Sequence, residues 1–318
     1  MAAPLFTIEE ISGVGSSITL PGAGMYWIHD CSWNGFNDRV IYVADSSLFL
    51  GISECFFRNC IGTKLNGGVI YFSALSGSFS VQRICVHNCS DNYIQSHGIF
   101  LYSVVNEMCD NVINTSTFAL CGKNTVNDIR STLYLFNGHQ IASSDNFSKN
   151  YAYYYSAIRF NTTKSSISQY NTVVNNNMNQ SICMGCVCGS NFFNNDNYIN
   201  NTQGYADDGL FRVFEYANAT ITKCIFINNN RQIVNAYANS KCFVLNCWIL
   251  GLYEAIGPVV FQSIQSSTAT HQLAHIRTAL CMADISLTML NTQIVCPTLL
   301  QPVCRSMVFL FVMPFLYE

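Results

Sequence analysis

The apolar residues of this chain come in short continuous runs, and their spacing does not suit an amphipathic helix. Val40-Ile41-Tyr42-Val43, Gly67-Gly68-Val69-Ile70-Tyr71-Phe72, Gly98-Ile99-Phe100-Leu101-Tyr102, Leu133-Tyr134-Leu135-Phe136 and Leu210-Phe211-Arg212-Val213-Phe214 are rich in β-branched and aromatic residues. Runs of this length and composition predict short strands. Other segments, such as Ser47-Leu48-Phe49-Leu50 and Ser78-Phe79-Ser80-Val81, read as further strands feeding a recurring four-residue motif.

The motif is apolar, any residue, usually Asn or Asp, then Cys or Asn. Its nine copies are Ile28-His29-Asp30-Cys31, Phe57-Arg58-Asn59-Cys60, Val86-His87-Asn88-Cys89, Phe118-Ala119-Leu120-Cys121, Phe147-Ser148-Lys149-Asn150, Val173-Val174-Asn175-Asn176, Phe192-Phe193-Asn194-Asn195, Phe226-Ile227-Asn228-Asn229 and Val244-Leu245-Asn246-Cys247. A period of this length marks a repeat architecture. The first position reads as an inward residue stacking on its neighbour. The third suits a tight corner, because Asn tolerates left-handed backbone and bonds its own turn. The fourth predicts a structural ladder: Cys31, Cys60, Cys89, Cys121, Asn150, Asn176, Asn195, Asn229 and Cys247. Stacked Asn can hydrogen-bond along the axis, and stacked Cys pack as small apolar groups.

Three short strands per repeat predict an all-β, single-stranded, right-handed parallel β-helix of about eight to ten coils. A leucine-rich repeat would require Leu at fixed offsets, and a transmembrane β-barrel would require strict alternation in ten-residue segments. The expected division is an N-terminal edge or cap over 1–17, the β-helix over 18–262, an irregular segment or cap over 263–306, and a short hydrophobic end over 307–318.

The Phe-x-x-Asn copies (Phe147 to Asn150, Phe192 to Asn195, Phe226 to Asn229) together with Gly67-Gly68-Val69-Ile70 resemble the paired motifs of chlamydial polymorphic outer-membrane protein passengers. The Cys-rich copies, with Tyr26-Trp27-Ile28-His29-Asp30-Cys31 and Leu280-Cys281-Met282-Ala283-Asp284-Ile285, resemble more closely the right-handed parallel β-helix (pectin-lyase-like) surface proteins of trichomonad parasites. The resemblance covers roughly 18–285. It implies surface display or adhesion, with host-cell or matrix proteins or glycans as partners, commonly through a signal peptide and a membrane anchor. Residues 1–20 lack the basic and apolar regions of a secretory signal. The apolar run 307–317 is too short to span a bilayer as a helix, and reads as a hydrophobic end of the stack or a remnant of an anchor.

Composition narrows the function. Charged residues make up 10% of the chain, against about 25% in ordinary soluble proteins, and Asn and Ser take their place. The net charge of −3 gives no footprint for nucleic acid. Many β-helices cleave polysaccharides, which takes carboxylates clustered on neighbouring coils. The acids here are dispersed, and Asp207-Asp208, with Arg212 nearby, reads as a solvated turn. Ser96-His97-Gly98 and Gly138-His139-Gln140 lack the surroundings of pectin-cleaving sites. Cys183-Met184-Gly185-Cys186-Val187-Cys188 has CxxC spacing but no second pair to complete a zinc site, so it reads as packed thiols or a local disulfide. His29 and His87 read as outward residues two coils apart with Arg58 between them. No catalytic residue, cofactor or metal is expected. Seven sequons occur, at Asn88, Asn114, Asn146, Asn161, Asn179, Asn200 and Asn218. Asn161, Asn200 and Asn218 read as the loop sites open to glycosylation. The expectation is a non-enzymatic structural or adhesive β-helix. The alternatives are a polysaccharide lyase or glycoside hydrolase, and a degenerate family member without activity.

Overall fold

The structure is a computed structural model. It describes residues 8–266 apart from 21, 45–46, 123–130, 163, 179–181, 205–208, 231 and 252–253, together with Thr278 and Cys281. All of them lie in a unit spanning Met1–Ile285; a second unit, Ser286–Glu318, contains the apolar run 307–317 and lies outside the described residues. Each paired strand is parallel to its neighbours, and none of the described residues is helical. The fold is therefore the expected parallel β-solenoid.

One coil shows the plan. Phe79–Gln82 lies in a first sheet of eleven strands, Cys85–His87 in a second of nine, and Leu101–Val105 in a third of ten. The chain then re-enters the first sheet at Asp110–Asn114. The first sheet begins at Ile8–Ser12, which pairs in register with Gly24–His29. The solenoid thus starts inside the stretch expected to be an edge or cap. Among the described residues its last strand is Val259–Gln262, with Gln265 bridged to Trp248.

Within each strand the inward residues stack in columns. The second sheet supplies Trp33, Phe57, Val86, Phe118, Phe147, Val173, Tyr198, Phe226 and Ile249. All are buried. Ring centroids sit 4.8 Å apart for Trp33 and Phe57, 5.1 Å for Phe118 and Phe147, and 5.2 Å for Tyr198 and Phe226. Stacking at this spacing follows from the distance of about 4.8 Å between strands.

The first two sheets meet at a corner made by one left-handed residue, and a second such corner ends the short strand of the second sheet. The first corner uses Asp30, Glu54, Arg83, Thr115, Ser144, Tyr170, Asn195, Lys223 and Asn246; the second uses Asn59, Asn88, Leu120, Lys149, Asn175, Asn200 and Asn228. Each is followed by a buried residue, small at every corner but that of Ile84. There are consequently two ladders where the motif suggested one. Cys60, Cys89, Cys121, Asn150, Asn176, Asn201 and Asn229 form the second-corner column, as shown by coil-to-coil bonds such as Ser90 N to Cys60 O and Thr202 N to Asn176 O. Cys31 and Cys247 belong instead to the first-corner column, with Cys55, Ile84, Ser116, Asp145, Asn171, Asp196 and Cys224. Asn195 is a left-handed corner residue, not a rung. The copies starting at Ile28, Phe192 and Val244 were thus out of place. Both corners obey one local grammar five residues apart, and a four-residue motif does not separate them. The same error put His29 and His87 in one column: His29 lies in the first sheet, His87 in the second.

Asn is favoured at left-handed positions because its short polar side chain relieves the strain that other non-glycine residues carry there. At the second corner the exposed amides of Asn88 and Asn59 also donate along the axis, to Asn59 Oδ1 at 2.7 Å and Asn34 Oδ1 at 3.0 Å. Leu120 occupies the next position at φ 55 with its side chain exposed. Leu120→Asn should stabilise the chain by roughly 1 kcal/mol, measured from its urea midpoint, by relieving strain and extending this row. Leu120→Val should do the reverse.

Candidate functional site

A contact face has to be built from outward positions. In the first sheet one outward column reads Val112, Ile141, Ile167, Phe192, Thr220, Phe243 and Val260. Ile167, Phe192, Phe243 and Val260 are 36, 47, 39 and 49% exposed. Six register steps give an apolar stripe about 29 Å long. On one side runs Asn114, Ser143, Gln169, Asn194, Thr222, Leu245 and Gln262; on the other run Ser165, Ser190, Asn218 and Lys241. The stripe is thus framed by mostly uncharged hydrogen-bonding groups. Phe192 and Phe243 make no ring contact among the described residues, and each leaves part of its ring exposed. They lie two rungs apart, about 9.6 Å. An apolar strip, broken here only at Thr220, with a polar frame is the usual mark of a binding surface.

The third sheet carries a different outward column: Tyr42, Tyr71, Tyr102, Tyr134, Arg159, Gly185 and Arg212. The four tyrosines stack with centroids 5.2–5.5 Å apart. Arg159 lies over Tyr134 at 5.1 Å, and Arg39 lies beside Tyr42 and Tyr71 at 5.1 and 4.6 Å. Burial, with Tyr134 and Tyr71 alongside, pushes the Tyr102 phenol up to about 12. These rings spend their faces on one another, so the column stiffens the sheet and turns edges and hydroxyls outward.

The second sheet offers little outward surface. Thr117, Asn146, Thr172, Asn197 and Ile225 occupy its outward column and are all buried. Thr278 Oγ1 lies 2.9 Å from Thr117 Oγ1, and Cys281 forms a disulfide with Cys85 across 196 residues of sequence. The sequence carried no signal for this pairing, since any of sixteen cysteines could have taken part.

The other cysteines follow their columns. Cys31, Cys60, Cys89 and Cys121 are thiols, and burial pushes Cys55 and Cys121 up to about 12. Cys186 points into the core and is raised well above its usual value by burial, while Cys188 sits half-buried at a corner with φ 60. They do not converge, and a raised thiol is a poor nucleophile and metal ligand. The side chain of Cys183 lies outside the described residues, as do Asp207, Asp208 and Asn179. Among the described residues no group of three His, Cys, Asp or Glu is arranged to hold a metal.

Of the expected glycosylation sites, Asn218 is exposed, but it opens a strand. Asn161 ends a strand and donates to Tyr134 OH at 3.0 Å, and Asn200 is a half-buried left-handed corner. All three belong to the coil framework, not to long loops.

The least expected carboxylates are interior. Asp145 and Asp196 face the core from the first-corner column, with Asn171 between them. Asp145 Oδ1 accepts from Ser116 N at 2.8 Å, Asn171 Oδ1 from Asp145 N at 2.7 Å, and Asp196 Oδ1 from Asn171 N at 2.7 Å. Asp196 Oδ2 also accepts from Ser168 Oγ and Tyr198 OH. Burial raises both acids, Asp145 well above its usual range and Asp196 to about 7. They are enclosed, so their bonds serve the stack.

These features define a parallel β-solenoid with an apolar outward stripe and a polar, partly acidic interior seam. No protein-family model, no curated protein and no solved structure matches the chain.

A buried acid with a raised native pKa stabilises the fold while it holds its proton. That contribution is complete below pH 4, where the unfolded chain is also protonated, and is lost as pH rises toward 7. The loss is about 1.4 kcal/mol per pH unit for each such group. Asp196→Asn should therefore flatten the fall in urea midpoint between pH 4 and 7. A profile as steep as that of the unaltered protein would contradict the assignment.

Proposed function

We propose that the chain is a non-enzymatic contact solenoid, serving adhesion or surface display, and that the outward stripe of the first sheet is its contact face for glycans or proteins. The observation that carries this reading is the Ile167–Phe192–Phe243–Val260 column, exposed along a rigid sheet and framed by mostly uncharged polar rows. Exposed phenyl rings can pack on sugar rings or seat apolar side chains, and the neighbouring Asn, Ser, Thr and Gln supply adaptable hydrogen bonds. The regular rungs pre-organise the face, so little ordering entropy opposes binding. The reading carries with it a surface or secreted location, which the Cys85–Cys281 bridge supports because such bonds persist in oxidising compartments.

The test is the triple variant Ile167→Ser, Phe192→Ser, Phe243→Ser, screened against immobilised glycans and extracellular-matrix proteins. Binding should fall by about tenfold or more while the circular dichroism of the sheets is retained. Full binding by the folded variant would defeat the assignment of this face.

A further inference from the structure

A cleft of about 250 Å³ opens where the third sheet begins, lined by Ser17, Ile18, Thr19, Asp38, Arg39, Tyr42 and Lys64. We propose that it is a seat for a single acidic sugar residue. The proposal goes beyond the contact reading above, since it concerns a different sheet and its own ligand class.

The aromatic floor comes from the end of the tyrosine stack. Tyr42 has Tyr71 against one face, at 5.3 Å between centroids. On its other side the register partner is Thr19, a short exposed residue. The last ring of the stack therefore meets a short threonine in place of a second ring, and it is 36% exposed. The volume suits one sugar ring, since it falls below the roughly 300–1,000 Å³ typical of sites for larger ligands.

The polar groups are placed for hydroxyls and for one anion. Arg39 Nη2 donates to Leu65 O and Asn66 O at 2.6 and 3.0 Å, which fixes the plane of the guanidinium beside Tyr42. Its buried Nε has no hydrogen-bond partner. Lys64 is exposed and makes no ion pair among the described residues. Asp38 Oδ1 is occupied by Arg39 N at 2.8 Å and Thr63 Oγ1 at 3.3 Å, leaving Oδ2 to accept from a ligand hydroxyl. Two cations face one carboxylate, so the cleft has a net positive charge and favours a ligand with a carboxylate or sulfate. Tyr42 offers the exposed part of its ring, Ser17 and Thr19 offer hydroxyls, and Lys64 meets the anion with the Arg39 guanidinium adding positive charge beside it. Nothing in the set is arranged for bond cleavage.

The experiment is a calorimetric titration of the full chain with three probes: a glucuronic-acid-containing disaccharide, its carboxyl-reduced neutral counterpart, and inorganic sulfate. The acidic disaccharide should bind saturably and at least about fivefold tighter than the neutral one. Lys64→Gln, an exposed substitution that leaves the core untouched, should weaken it about tenfold, and Tyr42→Ala should abolish it. Equal binding of the neutral sugar, equal binding of sulfate alone, no binding of any probe, or affinity unchanged in folded Lys64→Gln would each overturn the proposal. The Ile167, Phe192 and Phe243 triple variant should keep full affinity for the disaccharide. A failed cleft and a failed contact face are thereby told apart.

Discussion

At each of two corners in every coil the backbone leaves the sheet for one left-handed residue, and the amide that follows must find an acceptor inside the stack. Cys121 N, Asn150 N, Asn176 N and Asn201 N each donate to the side-chain oxygen of the next rung, Asn150, Asn176, Asn201 and Asn229, at 2.8–3.1 Å. The same side chains return an amide hydrogen to the preceding coil, at Phe118 O, Phe147 O, Val173 O and Tyr198 O. A buried amide left without an acceptor costs about 1–3 kcal/mol, and the corner repeats with every coil. Satisfying it sets the composition of the interior seam.

The seam has two chemistries. Through the middle coils both corners carry groups that accept hydrogen bonds, with Asp145, Asn171 and Asp196 at one and Asn150, Asn176, Asn201 and Asn229 at the other. Toward the ends cysteines take over, as Cys31 and Cys55, Cys60 and Cys89, and Cys224 and Cys247. Their thiols donate weakly to backbone carbonyls such as Ser53 O and Leu245 O, and otherwise pack as small apolar groups. An acid serves in the middle because its Oδ1 accepts the corner amide of the preceding coil, as an Asn oxygen does. Its stability then depends on pH in a way that an Asn column does not.

With the interior fixed by the corners, the outward positions are free to vary, and the sheets use that freedom differently. The first exposes an apolar stripe, the third stacks tyrosines that end in a cleft, and the outward column of the second is covered. A solenoid gives each face regular rungs on a rigid support, so chemistry placed on one sheet can change without disturbing the others. The cleft depends on this: Tyr42 meets a short side chain in place of a ring only because the tyrosine column stops there and Thr19 takes the next rung.

Sequence alone determined the coil architecture, because short β-rich runs and a recurring Asn or Cys corner leave few folds that bury both. It also determined that most cysteines and many asparagines are structural: Cys60, Cys89, Cys121, Asn150, Asn176 and Asn229 are rungs of one column. Tertiary structure decided the register. Glu54, Thr115, Tyr170 and Lys223 adopt the left-handed corner without being Asn, since stacking imposes the conformation, and the first corner was therefore hidden. Only the stacked coils could also show which outward residues meet. Ile167, Phe192 and Phe243 are far apart in sequence and fall in one column through register, while Cys85 and Cys281 meet through a bond spanning 196 residues. The physical reason is that local pattern records what each strand prefers, whereas a shared face depends on the exact length of every loop between strands.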